Sequence, residues 1–62
     1  MEKVKKLRLS RNLSQERIAG WLNMSVSAYS KKENGRLKWS LEEAKRLSMY
    51  YGLSIEELFF ES

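Results

Sequence analysis

Serines 14, 25, 40 and 54 each stand immediately before a short stretch with helical apolar spacing, and this constrains the chain more than any other feature. A serine in that place accepts a hydrogen bond from a first-turn backbone N–H that has no other partner, so it marks a helix start. Glu42 and Glu43 follow Ser40, and Glu56 and Glu57 follow Ser54, where the positive end of the helix dipole favours anions. The stops are as clear. Asn23 follows the helix begun at Ser14, Gly35 the one begun at Ser25, and Gly52 the one begun at Ser40. Gly and Asn best tolerate the left-handed conformation that ends a helix.

Apolar spacing fills in the rest. Val4 and Leu7 share a face of a first helix that ends near Arg11, with a bend at Asn12 closed by Leu13. Ile18, Ala19 and Leu22 form the inner side of the second helix. Leu41, Ala44, Leu47 and Tyr51 are the expected inner stripe of the fourth, and Ile55, Leu58 and Phe59 that of the fifth. Proline is absent, only three glycines occur, and no strand alternation, repeat or linker appears. The expected fold is all-α: a compact bundle of five short helices in a single domain, residues 1–62.

A domain of this size buries only about 60% of the surface its unfolded chain exposes, and is often helped by disulfides, a metal or a partner subunit. Cys and His are both absent. That removes disulfides and the usual zinc ligands, and leaves partnering open. No catalytic, metal or cofactor site is expected: there is no glycine-rich phosphate loop, and the Glu–Glu pairs are accounted for as first-turn residues. No apolar run approaches the roughly 20 residues that span a bilayer, and no signal-peptide pattern opens the chain. A cytoplasmic protein without a membrane partner is expected, with no room in 62 residues for a separate ligand-sensing domain.

Charge is unevenly placed. Residues 1–39 hold ten Lys/Arg against three Glu, net +7, and residues 40–62 hold two against five, net −3. This is the footprint of a protein that approaches a polyanion with one side, although scattered solubility charge is the plainer alternative. The stretch "MSVSAYSKKENG" sharpens the question. At 3.6 residues per turn, Ala28, Tyr29 and Lys32 fall on one side of its helix and Ser27, Ser30 and Asn34 opposite, with Val26 and Lys31 at the margins. The outward side lacks the long Glu/Lys pairs of an ordinary solvated helix. Its short side chains would let the backbone approach a neighbour closely, and a major groove about 12 Å wide admits one helix. A reading head for base edges and a merely polar surface helix both fit this wheel.

From Val4 to Phe59, through "LR…R.LSQERIA", "MSVSAYSKKENG" and "SLEEAKRLSMYYGLSIEELF", the chain resembles the phage repressor and Cro-type (Xre-like) helix-turn-helix DNA-binding family. The resemblance implies a lambda-repressor-like domain whose helix-turn-helix unit spans about residues 15–34, with the third helix in the major groove. It implies that Gln15 contacts phosphate and braces the third helix, and that Ala19 allows a close helix crossing. Val26, Ser27 and Lys31 fall on base-reading positions with Ser30 beside them, and Asn34 shares their face. Arg36 and Lys38 lie in a loop that touches phosphate, and Arg8 pairs with Glu33. Departures are Asn23 for the usual turn glycine, Gly20 inside the second helix, Tyr29 and Lys32 for apolar residues, and Trp39 for a common proline. Tyr29 then needs a partner for its hydroxyl. Lys32 is expected to lay its stem on the core and send its ammonium to water or a glutamate.

The expected function is sequence-specific binding of double-stranded DNA by a small transcriptional repressor. It would act as a homodimer through the fifth helix on a two-fold operator, with no small-molecule ligand. Lysine seeks the guanine O6 and N7 acceptors, serine is permissive, and Val26 can meet a thymine methyl or be partly buried against Tyr29. For Arg36 and Lys38 a solvated loop is the plain alternative. The rival function is a protein-interaction module, an antitoxin or regulator-binding partner, using Leu9, Trp21 and Phe60 on the same scaffold.

Overall fold

A computed structural model describes residues 2–60, which form α1 (Glu2–Ser10), α2 (Gln15–Trp21), α3 (Val26–Glu33), α4 (Leu41–Tyr51) and α5 (Ile55–Phe59). No strand occurs among the described residues. All four serines cap. Ser14, Ser25, Ser40 and Ser54 sit in extended backbone, and their hydroxyls accept from the N–H groups of Arg17, Ala28, Glu43 and Glu57. Glu43 and Glu57 do more than complement the dipole. Each carboxylate reaches back 2.9 Å to the cap serine's own N–H, closing a reciprocal capping box.

The turns use the residues able to make them. Asn12 (φ 55°), Asn23 (φ 61°), Gly35 (φ 82°) and Gly52 (φ 69°) all take positive φ. Asn is among the few side-chain residues that do so readily, which is why Asn23 serves where glycine would be usual. The backbone bonds Asn23 N–H to Gly20 C=O (3.1 Å) and Met24 N–H to Ala19 C=O (3.0 Å) close the bend between α2 and α3.

Val4, Ile18, Ala19, Leu22, Tyr29, Leu47, Tyr51 and Leu58 make up the buried cluster, with Phe59 packed against its edge; Ile55 is half-buried. One stripe residue departs from expectation: Leu41 is 66% exposed. It borders an open groove whose other walls include Trp39, Ile55 and Phe59. Leu41 opens the first turn of α4, where the space towards α5 stays open as this groove and no side chain closes over it among the described residues. Trp39 fills the proline position by packing its ring edge-on to Tyr29 (5.8 Å between centroids) and tilted on Phe59 (6.0 Å).

Candidate nucleic-acid interface

The outward face of α3 is held by what lies behind it. Ala19, 1% exposed, has no side chain beyond its methyl at the α2–α3 crossing, so the two helices pack closely. Tyr29 and Glu33 occupy the buried side of α3. Glu33 is only 2% exposed, and both of its oxygens are shared. Oε2 accepts from Arg8 Nε (2.8 Å) and the Tyr29 hydroxyl (2.6 Å), and Oε1 accepts from Arg8 Nη2 (3.2 Å) and Gln15 Nε2 (3.1 Å). Arg8 also donates Nη1 to the Leu13 carbonyl at 2.8 Å. One carboxylate therefore joins α1, the start of α2 and the end of α3.

Electrostatics follow from this geometry. Burial pushes the Glu33 carboxyl up, but hydrogen bonds from Arg8, Tyr29 and Gln15 outweigh it and leave the carboxyl below its ordinary value. The hydrogen bond to Glu33 raises Arg8, and burial together with Glu33 raises the Tyr29 phenol far above its usual range. The group stays an anion, a cation and a neutral phenol across ordinary pH. The partner that Tyr29 required is Glu33.

In front of this support lie the residues singled out from sequence. Ser27, Lys31 and Asn34 are exposed, and Val26 is 39% exposed. Ser30, expected in the open with Ser27, is half-buried, and its hydroxyl lies 3.5 Å from Asn34 Nδ2, a long contact one turn away. Gln15 is half-buried with its amide directed to Glu33. Arg36 and Lys38 are exposed on the α3–α4 loop, whose start is fixed by Arg36 N–H (2.7 Å) and Leu37 N–H (3.1 Å) on the Lys31 carbonyl.

Two helices joined by a tight left-handed bend, with a small residue at their crossing, carry a short polar face on the second. The sequence profile of the helix-turn-helix family matches residues 4–58. The chain belongs to the helix-turn-helix family.

Its similarity to individual proteins is spread over the same span. It is 39% identical over 57 residues to the HTH-type transcriptional activator BcrR of Enterococcus faecalis, covering 92% of this chain and 28% of that protein. It is 33% identical over 60 residues to the cryptic phage CTXphi transcriptional repressor RstR of Vibrio cholerae, covering 97% of this chain and 54% of the repressor. It is 38% identical over 58 residues to the control protein C.MunI of a Mycoplasma species, covering 92% of this chain and 78% of that protein. The chain thus spans about a quarter to a half of the first two relatives. No solved structure matches it significantly.

Sequence reasoning passed over one cation beside the helix-turn-helix unit. Lys5 borders a polar depression together with Glu2, Glu33 and Asn34, at the C-terminal end of α3. Spacing carried the clue, because Lys5 precedes Arg8 by three residues and so shares its side of α1. Of the semi-exposed apolar residues, Trp21 is partly covered by its own chain. Tyr50 tilts on it at 4.7 Å and the Arg46 guanidinium lies 5.5 Å over its ring. Leu9 and Phe60 are exposed, Phe60 at 77%.

Proposed function

We propose that this helix-turn-helix chain is a sequence-specific double-stranded DNA-binding regulator of transcription, with α3 entering the major groove. The observation that carries the reading is the outward face of α3: small, polar, cationic at Lys31, and backed by the hydrogen bonds that Arg8, Gln15 and Tyr29 give Glu33. A surface fixed before binding loses little entropy on docking. Ser27 and Lys31 address base edges, Lys31 the guanine acceptors, Val26 a thymine methyl, and Ser30 with Asn34 the groove wall. Gln15, Arg36 and Lys38 take phosphate, where contacts set register and affinity but carry no base code.

The names of two relatives speak of transcriptional control, one as an activator and one as a repressor. Repression is the mode proposed here, because occupying an operator needs no surface beyond the DNA-facing one. Residues 1–62 act as one non-enzymatic DNA-binding domain in the cytoplasm. No described helix is long and apolar enough to cross a membrane, and the described residues hold no cluster of potential metal ligands.

The longest extent of the bundle is 25 Å, about seven base pairs at roughly 3.4 Å each. Useful specificity therefore calls for two copies on a two-fold site, with half-sites about 34–36 Å apart. Exposed Phe60 and Leu41 beside the α4–α5 groove are the proposed contact between copies.

The test is binding to random duplex across a salt series. A steep negative log–log slope supports phosphate contact, and a slope near zero transfers the case to a protein partner.

A further inference from the structure

We infer that Lys32 and Glu43 form a positioning pair that holds the α3–α4 loop, and with it Arg36 and Lys38, in the shape that meets phosphate. The inference rests on the DNA-binding reading above.

Lys32 stands where the helix-turn-helix wheel asks for an apolar residue, and its side chain is 15% exposed. The ammonium does not turn to the DNA-facing side. It donates to both carboxylate oxygens of Glu43 and lies 6.0 Å from the centroid of the Trp39 ring. Glu43 Oε1 also accepts the Ser40 N–H at 2.9 Å, while the Ser40 hydroxyl accepts the Glu43 N–H at 3.1 Å. A single carboxylate thus ties the last turn of α3 to the cap of α4.

Between those two points runs the loop of residues 34–40. Its near end is pinned by the Lys31 carbonyl, and its far end by Glu43. An apolar residue at position 32 would fill the space with less desolvation cost, but could not grip Glu43. What the lysine adds is a fixed distance between helix end and cap, and so a fixed path for the loop.

Neighbouring Lys31 is exposed and available to a duplex; Lys32 is engaged. Its effect on binding therefore passes through Arg36 and Lys38. Freeing the backbone of a single loop residue is enough to cost affinity on the order of tenfold.

The experiment compares wild type with Lys32→Met, Lys32→Arg, Glu43→Gln and Arg36→Ala. It reads random-duplex affinity from 50 to 200 mM salt, and backbone order parameters of residues 36–39 in the free proteins. Lys32→Met keeps the apolar stem and removes the charge. It is expected to bind about tenfold more weakly at every salt, with the log–log slope unchanged, and to drop the loop order parameters from about 0.85 toward 0.6. Glu43→Gln is expected to behave likewise, and Lys32→Arg to restore both readouts. Arg36→Ala is expected to lower the slope by about one, as a direct phosphate contact does.

A Lys32→Met slope lower by about one would make Lys32 itself a phosphate ligand and overturn the inference. So would wild-type affinity with an unchanged loop, which would reduce the pair to packing. Wild type that fails to bind duplex at low salt overturns the DNA reading instead, and the order parameters alone then decide whether the pair holds the loop.

Discussion

Arg8 and Glu33 stand 25 residues apart in the chain and meet through two hydrogen bonds, Nε to Oε2 at 2.8 Å and Nη2 to Oε1 at 3.2 Å. The contact is buried on both sides, so neither charge has water to fall back on. Removing one partner strands the other. Arg8→Met is expected to cost about 3–5 kcal/mol, out of a total that at about 0.05–0.15 kcal/mol per residue is only roughly 3–9 kcal/mol for a chain of this length. Urea unfolding followed by circular dichroism checks it. A loss under about 1 kcal/mol would mean that the pair is solvated in solution.

The same carboxylate sets the acid limit of the fold. The Glu33 carboxyl in the folded protein lies below its ordinary value of 4.5, and Glu43 is lowered too, by Lys32 and Ser40 against the opposing effect of burial. A depressed carboxyl contributes stability that is fully present above about pH 4.5 and lost as pH falls through the folded value. For Tyr29 the sign reverses. Its folded value is raised above 10.0, so stability holds below that pH and declines as the unfolded phenol ionises above it. With no His or Cys in the sequence, no side chain that ordinarily titrates near neutrality is present. Thermal melts are expected to show a plateau between about pH 6 and 9, with falls on both sides. In Glu33→Gln the acid fall should shrink while overall stability drops.

Gly20 offers a test of local physics. It lies inside α2, is exposed, and a methyl added there meets nothing within 4 Å. Gly20→Ala should raise stability by up to about 1 kcal/mol. Gly52→Ala should do the opposite, because the residue holds φ 69°, a conformation that costs an alanine about 1–2 kcal/mol. Two melting curves separate the predictions. A stabilised Gly52→Ala would contradict the left-handed end of α4.

These three predictions draw on features of very different visibility in sequence. Helix starts were legible because a serine cap is a local device, decided within four residues; Ser14, Ser25, Ser40 and Ser54 all perform it. Bends were legible at Asn12, Asn23, Gly35 and Gly52 because few residues take positive φ. The Arg8–Glu33 contact is not local, and was accessible only through the family resemblance. Leu41 departs from its stripe because a wheel shows which residues share a side, not whether a neighbouring element closes over each of them. Ser30 was placed in the open by the same wheel, which cannot weigh the flank of a narrow helix. The capping boxes at Glu43 and Glu57 lay in plain view at the third position after each serine. The convergence on Glu33 is only partly local: Tyr29 stands four residues before it on α3, whereas Arg8 and Gln15 reach it only once α1 and α2 pack against α3.

Dimerisation has its own test. Phe60 and Leu41, 77% and 66% exposed, flank a groove that is open among the described residues. Sedimentation at micromolar concentration with operator duplex present is expected to show two copies per site, and Phe60→Glu to leave one. Monomer alone, both free and on the operator, would remove the proposed α5 interface.

The most direct measurement takes a duplex obtained by selection from randomised sites and compares it with random duplex, using wild type, Lys31→Ala and Arg36→Ala. Lys31→Ala is expected to lose about 1–3 kcal/mol on the selected duplex and to relax preference at one base pair, while Arg36→Ala weakens both duplexes alike. Equal losses on both duplexes for both variants would contradict the assignment of α3 as the reading helix.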